Sequence, residues 1–286
     1  MNSSKVWYIT GASQGLGLSL VKKLLSSGYR VAATTRSVIE MKKAVGPDDS
    51  LPFLPLEVDL TNTESIRGSI DRTVAAFGSI DVIVNNAGYG MEGTVEELDE
   101  KAMRAIFEIN VFAGINVIRC ALPYLRKQRS GHIINISSVA GFAGAPGWSI
   151  YSATKSALIA FSEVLALDLR ELGIKVTVVG PSGFRTGFLS KKSLVTTESL
   201  ISAYHAVSET RSRYAAMNGN QDGDPEKAAA LFIQIAENPE PPLHLWLGAN
   251  AIERAGEKIE FLGQELRKWK ELSVSADFQQ RQTQGL

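Results

Sequence analysis

Apolar positions along the chain fall into two alternating textures. Short unbroken apolar runs occur near residues 5–10, 29–34, 53–58, 80–85, 132–137, 174–179 and 243–247. Between them lie stretches with apolar residues three and four apart, near 15–27, 62–77, 99–127, 149–172, 225–237 and 251–270. A run without polar alternation is a strand covered on both faces, and the longer period is one buried stripe of a helix. Strands that alternate with helices need crossover connections, so the pattern predicts an α/β fold with a doubly wound parallel sheet and helices on both faces. Residues 187–224 break the rhythm with Ser/Thr/Lys-rich text, Tyr204, Tyr214 and an Asn-Gly-Asn-Gln-Asp-Gly-Asp cluster before Pro225. They read as a mobile substrate lid within a single domain spanning 1–286, followed by a C-terminal extension. The Gln-rich end predicts a flexible tail over 272–286.

Composition narrows the class. The 286 residues are 44% hydrophobic and 21% charged, the profile of a soluble globular domain. Thirty basic side chains balance thirty acidic ones, so no global positive field exists to attract nucleic acid or an anionic membrane. Neither partner is expected. The lone Cys120 excludes an intramolecular disulfide framework and fits a reducing compartment, so a cytoplasmic location is expected. The first five residues run directly into Val6-Trp7-Tyr8-Ile9, unlike a signal peptide, and about 18 consecutive apolar residues, enough to span a bilayer, occur nowhere. His132, His205 and His244 lack zinc-ligand spacing, and no metal is expected.

Chemistry enters after the first strand. Thr10-Gly11-Ala12-Ser13-Gln14-Gly15-Leu16-Gly17 has glycines in the pattern G-x-x-x-G-x-G, distinct from G-x-G-x-x-G but related in its physics. Without Cβ the backbone can turn tightly and approach a diphosphate, whose charge then meets the free amides of a helix N-terminus. Farther on, Tyr151 and Lys155 stand at i and i+4 near a helix start, on one face. A neighbouring ammonium favours phenolate, so the pair predicts a tyrosine pKa drawn below 10 and an acid–base role. Ser138 closes the apolar run 133–138 and is expected to point into the crevice at its carboxyl end, with Ser137 facing the other way. A ribose-binding acid is expected about 20 residues past the glycine loop, but Val31-Ala32-Ala33-Thr34-Thr35-Arg36-Ser37 contains none. Arg36 reads either as a grip on a 2′-phosphate or as a solvated loop charge.

These motifs resemble the short-chain dehydrogenase/reductase family, in its shorter single-domain branch, over about residues 5–190. The resemblance implies a Rossmann-type fold and NADP(H) preferred over NAD(H), because Thr35 takes the place of the family's ribose-binding acid and Arg36 follows it. It implies cofactor contacts from Gly11, Ser13, Gln14, Gly15, Leu16, Gly17, Arg36, Asp59, Leu60, Asn86 and Gly88, together with Tyr151, Lys155, Pro181, Phe184 and Thr186. Asp59 has a second reading as an acid at a helix start near Thr61. The catalytic set implied is Asn110, Ser138, Tyr151 and Lys155. Ser138 lies 13 residues before Tyr151, as the family has it; Asn110 is implied to bend its helix and fix a water that relays protons toward the lysine. Ser182 departs from the family's usual glycine after Pro181.

The expected reaction interconverts a ketone or aldehyde with an alcohol by hydride transfer. Expected pocket walls are Tyr89, Met91, Phe142, Ala143, Trp148, Phe184, Phe188 and Tyr204, suiting an apolar or aromatic small molecule. Alternatives are a catalytically silent NADP-binding sensor and a steroid-type hydroxyl dehydrogenase with a narrow substrate. A serine hydrolase is disfavoured because Ser138 lacks a G-x-S-x-G elbow. The resemblance also implies a homodimer or homotetramer paired through the helices near 99–127 and 149–172, where Ile106, Phe107, Phe112, Ile115 and Ile118 exceed one buried stripe.

Overall fold

The computed structural model describes residues 5–46, 50–197 and 201–278. The chain begins β1 (Val6–Ile9), α1 (Gly15–Ser26), β2 (Arg30–Thr35), α2 (Val38–Val45), β3 (Phe53–Glu57), α3 (Thr63–Phe77) and β4 (Val82–Asn85). It continues β5 (Gly90–Glu92), α4 (Glu100–Phe107), α5 (Ala113–Gln128), β6 (Gly131–Ile136), α6 (Ser149–Leu169) and β7 (Ile174–Pro181). It finishes β8 (Leu194–Thr196), α7 (His205–Met217), α8 (Pro225–Glu237), β9 (His244–Leu247) and α9 (Ala249–Val274). Seven strands form one parallel sheet in the order β3-β2-β1-β4-β6-β7-β9, the doubly wound Rossmann-type arrangement. Strand order reverses between β1 and β4, which leaves a crevice at their carboxyl ends.

Side-chain alternation explains the unbroken apolar runs. Trp7, Ile9, Val31 and Val84 pack with Leu20, Leu24 and Phe232 of α1 and α8. Tyr8, Ala32, Ile83 and Ile133 pack in the opposite layer with Ile66, Ile70, Val117 and Leu165 of α3, α5 and α6. Fully burying one such large side chain contributes about 1.5–3 kcal/mol, so each layer holds its helices against the sheet. Local signals set the helix ends: Asn62 accepts from the Glu64 and Ser65 amides at the start of α3, and left-handed Gly78 ends it.

Several expectations change. Helix α2 was hidden in the stretch after Arg36, where Ser37 accepts from the Glu40 amide and Met41 is the one buried apolar anchor. The helix expected over 99–127 is divided by a π-helical turn, Glu108–Phe112. The insertion 187–224 contains β8 and α7, and β8 pairs in parallel with β5; its residues 198–200 lie outside those described. The expected tail overlaps α9, which continues to Val274, while 279–286 lie outside the described residues.

Two helical stretches, Glu100–Gln128 and Ser149–Leu172, are long and apolar enough by length and composition to cross a membrane, though neither is an unbroken apolar run. Both flank the sheet, burying Val117, Ala121 and Leu125 on one and Leu158, Ile159 and Leu169 on the other. Ile106 and Ile118 belong to the core, whereas Phe112, Val164 and Leu167 remain exposed.

Candidate active site

A cavity of about 680 Å³ opens at the carboxyl ends of the strands. Its first wall is the glycine loop. Gly11 has φ +62°, and a Cβ there would lie 2.7 Å from Ala87 Cα; one on Gly17 would lie 2.5 Å from Asn86 Nδ2. The loop is thus pressed against the end of β4. Asn86 Nδ2 donates to the Thr10 and Gly11 carbonyls at 2.9 Å, and Thr10 Oγ1 accepts from the Asn86 and Ala87 amides at 3.0 Å. At the start of α1, Gln14 makes no capping bond, and its Nε2 donates instead to Ser193 Oγ at 2.8 Å. No acid occupies the first turn, and Ser13, Gly15 and Leu16 line the cavity. An uncapped helix N-terminus beside a glycine turn is suited to an anion such as a diphosphate.

The far end is lined by Thr35, Arg36, Glu57, Val58, Asp59 and Leu60. Thr35 is buried and its Oγ1 accepts from the Ser37 amide at 3.1 Å, while Arg36 stays exposed at the rim. Asp59 Oδ1 accepts from Thr61 N at 2.9 Å and Thr61 Oγ1 at 2.7 Å. Those bonds hold its carboxyl below the usual carboxylate range. Asp59 therefore orders the turn into α3 and also lines the cavity; the capping itself falls to Asn62. Glu57 was not singled out from the sequence, although it pairs in register with Thr35.

At the cavity floor, β6 ends at Ile136, so Ser138 lies beyond the strand instead of closing it. Ser138 caps the short helical turn Val139–Gly141, its Oγ accepting from Ala140 N at 3.1 Å, and it lines the cavity beside Tyr151, whose ionised form its hydroxyl favours. Ser137 faces away and donates to the Lys155 carbonyl at 2.7 Å. Lys155 is buried, with Nζ donating to the Ile136 carbonyl at 2.9 Å and lying 5.8 Å from the Tyr151 ring centroid. The expected lowering of the Tyr151 pKa is corrected by this setting. Burial pushes the phenol up, the Ser138 hydroxyl opposes this only in part, and Tyr214 adds to the rise. Burial also pushes the Lys155 ammonium down to about 8, which weakens it as a source of positive charge. Among protein groups alone Tyr151 is a phenol, a proton donor.

Asn110 sits in the π-helical turn, and three hydrogen bonds engage its side chain. Oδ1 accepts from Tyr89 N at 3.0 Å, and Nδ2 donates to Tyr89 O at 3.0 Å and Thr154 Oγ1 at 3.1 Å. Gly88 is wedged beside it: a Cβ there would lie 3.0 Å from Asn110 Oδ1 and 3.4 Å from Lys155 Nζ.

After β7, Pro181, Phe184 and Thr186 all line the cavity, and Thr186 Oγ1 accepts from Phe188 N at 3.3 Å. Ser182 lines it too, yet its Oγ donates to the Leu247 carbonyl at 3.3 Å, in space that the missing side chain of Gly248 leaves open. Of the expected walls, Tyr89, Trp148, Phe184 and Phe188 line the cavity, whereas Met91, Phe142, Ala143 and Tyr204 do not. Phe142 stacks on Trp246 with ring centroids 5.1 Å apart, and Tyr204 donates to Glu96 Oε2 at 2.7 Å. Tyr214, Met217 and Gln221 take their place from the insertion, with Asn250 and Arg254 from α9. Tyr214 lies 4.9 Å from Trp148, which lies 5.4 Å from Tyr151. Only a three-dimensional path joins these rings, since α7 carries no motif.

The glycine cradle, the uncapped helix start and the long cavity ending at a buried tyrosine and lysine fit a nicotinamide dinucleotide. A family description, short chain dehydrogenase, matches residues 5–195. The chain is 36% identical over 274 residues to "Oxidoreductase BOA17" of Botryotinia fuckeliana, covering 96% of this chain and 99% of that protein. It is also similar to a short-chain dehydrogenase structure from Streptomyces avermitilis, with a TM-score of 0.88, 35% identity and coverage of 97% and 100%. At 22% identity, a short chain dehydrogenase/reductase from Burkholderia phymatum solved with NAD shares the fold, with a TM-score of 0.77 and coverage of 91% and 95%. With matching motifs, sheet order and relatives, the chain belongs to the short-chain dehydrogenase family of oxidoreductases, whose members bind a nicotinamide cofactor.

Proposed function

We propose that the protein is an NADPH-dependent carbonyl reductase, interconverting an apolar or aromatic ketone or aldehyde with its alcohol. The observation that carries this reading is that buried Tyr151, one helical turn from Lys155, and Ser138 line the same floor of the cleft bounded by the glycine loop. The bound cofactor supplies the hydride. Gly11, Ser13, Gln14, Gly15, Leu16 and Gly17 would hold its diphosphate, Asp59, Leu60 and Asn86 would border its adenosine, and Gly88 would border the cofactor beside Lys155. Lys155 would hold the ribose beside the nicotinamide, with Pro181, Phe184 and Thr186 against the carboxamide.

Tyr151 donates a proton to the substrate oxygen, and Ser138 orients that oxygen through its hydroxyl. Asn110 acts at one remove, holding the Tyr89 backbone and Thr154 and so the segment on which Gly88 meets Lys155. Arg36 supports NADPH over NADH, because no acid stands at the end of β2 and the Thr35 hydroxyl is engaged by Ser37. Glu57 at the same end opposes a 2′-phosphate, so the preference rests on Arg36. Tyr89, Trp148, Phe188 and Tyr214 support an apolar or aromatic substrate.

The insertion acts as a lid over this pocket, tied to the glycine loop by the Gln14–Ser193 bond. The exposed Phe112, at the π-helical turn leading into α5, and Val164 and Leu167 of α6 support pairing of these helices between subunits of a homodimer or homotetramer. The buried free thiol of Cys120 is in keeping with a cytoplasmic enzyme acting on small molecules. The test is titration with NADPH and NADH, followed by loss of reduced-nicotinamide absorbance across aryl ketones, ring ketones and aldehydes. Tighter NADPH binding with turnover of some member is expected; binding of neither nucleotide would overturn the reading.

A further inference from the structure

Helix α9 carries an apolar stripe that the fold does not use. Over its 26 residues, about 39 Å at 1.5 Å per residue, only Ala251 and Ala255 are buried. Its first turns join the body, where Arg254 donates to the Ala143 carbonyl and Asn250 lines the cleft. Beyond Ala255 the helix leaves the body. Ile259, Leu262, Leu266 and Trp269 then follow at steps of three, four and three, two successive heptads with Ile and Leu at a and Leu and Trp at d, in phase with Ile252 and the buried Ala255. Ile259 is 60% exposed, Leu262 45%, Leu266 77% and Trp269 47%. In proteins most of a helix's stability comes from packing its apolar face.

We infer that α9 is an assembly surface whose occupant is α9 of a second copy, paired parallel and in register as a two-stranded coiled coil. Ile at a with Leu at d, as at Ile259 and Leu262, favours two parallel strands. Charge agrees with direction. In the parallel pair, g-position Glu265 faces e-position Lys270 of the other copy, twice by symmetry, whereas the antiparallel alignment sets Glu265 against itself. Neither side chain has an ion partner among the described residues. Gly256 and Gly263 take the other e positions and leave room beside the seam. The five acidic and five basic side chains of the helix cancel, which gives an anionic lipid surface no electrostatic purchase. This surface is separate from the exposed face of α5 and α6 and does not depend on the reaction catalysed.

The experiment measures the solution mass of the full chain by light scattering, with NADPH binding and circular dichroism as controls of folding. Leu262→Glu with Leu266→Glu is expected to halve the assembled mass. Glu265→Lys alone is expected to weaken assembly about tenfold, and Glu265→Lys with Lys270→Glu to restore it. Leu266→Cys is expected to give a covalent dimer on mild oxidation, because the one native cysteine, Cys120, is buried. A mass unchanged by the two glutamates, or no covalent dimer from Leu266→Cys, would overturn the inference. So would binding of the native chain to neutral phosphatidylcholine vesicles through these residues with no change in mass.

Discussion

The floor of the cleft and its roof are built by opposite means. In and beneath the floor, Tyr151, Lys155, Asn110 and Asn135 are each at most 5% exposed, and Lys155, Asn110 and Asn135 are fixed by specific hydrogen bonds. Asn85 Nδ2 donates to Asn135 Oδ1 at 2.9 Å, and Asn135 Nδ2 donates to Ser162 Oγ at 2.8 Å, a buried ladder linking β4, β6 and α6. The roof is tied at its rim, by Gln14 Nε2 to Ser193 Oγ at 2.8 Å and Tyr204 to Glu96 Oε2 at 2.7 Å, while its buried charges are only loosely paired. Arg211 of α7 lies 3.7 Å from Glu92 Oε2 and 3.9 Å from Glu97 Oε2, and Glu92 Oε1 is buried without a hydrogen-bond partner. Burial pushes the Glu92 carboxyl up, and Arg211 opposes this. Chemistry requires groups held in one geometry, whereas substrate choice needs only a wall of suitable shape. Under the proposed function, reaction type would rest on the floor and substrate identity on the roof.

The sharpest way to break this division is Tyr151→Phe, which removes the donor and keeps the ring packed on Trp148. Turnover is expected to fall about 10³-fold with NADPH affinity unchanged, read by steady-state rates and fluorescence titration.

Lys155→Met comes next, with about a 10²-fold loss of kcat/KM. Its stability effect has a definite sign. Folding lowers the lysine pKa from 10.5 to about 8, so the unfolded chain binds more protons between these values and native stability rises with pH across that window. Thermal melts should therefore show Lys155→Met gaining on the native chain at pH 7 and losing that advantage toward pH 10.5. Native activity should fall as pH rises through about 8, as Lys155 loses its charge.

A smaller effect is expected from Arg36→Glu: the NADPH Michaelis constant rises about 10-fold to 100-fold and that of NADH changes little. Glu57→Gln should shift the preference toward NADPH by a few-fold, which would place both charges at one end of the cofactor. The least effect on chemistry is expected from Arg211→Met. It leaves Glu92 and Glu97 without their shared cation, so KM for substrate should rise by a few-fold with kcat nearly constant. An equal drop in kcat would show that roof and floor are not separable.

The floor was largely legible from the sequence, because its parts are local: three glycines after a strand, a tyrosine and lysine one helical turn apart, and a serine past a strand end. Each motif carries its own geometry. The roof was not. Tyr214, Met217, Asn250 and Arg254 come from α7 and α9, and no local spacing announces that they meet Trp148. Met91 and Phe142 were expected at the cleft because aromatic and sulfur side chains fill cores and pockets alike; one is buried beneath it, and the other stacks on Trp246. The direction of the Tyr151 pKa also needed three dimensions. Spacing alone gives the neighbouring lysine, but burial acts on both groups and reverses the expected balance.

The central claim is that this floor delivers hydride and proton to a carbonyl, and transfer of an isotopic label tests it most directly. The protein would be incubated with NADPH deuterated at the transferable C4 position and a panel of ketones, and the products read by mass spectrometry. One deuterium on the carbinol carbon is predicted for the native chain, with the rate of transfer lowered about 10³-fold by Tyr151→Phe. Label transfer that persists undiminished in Tyr151→Phe, or tight NADPH binding with no transfer to any ketone or aldehyde, would contradict the account.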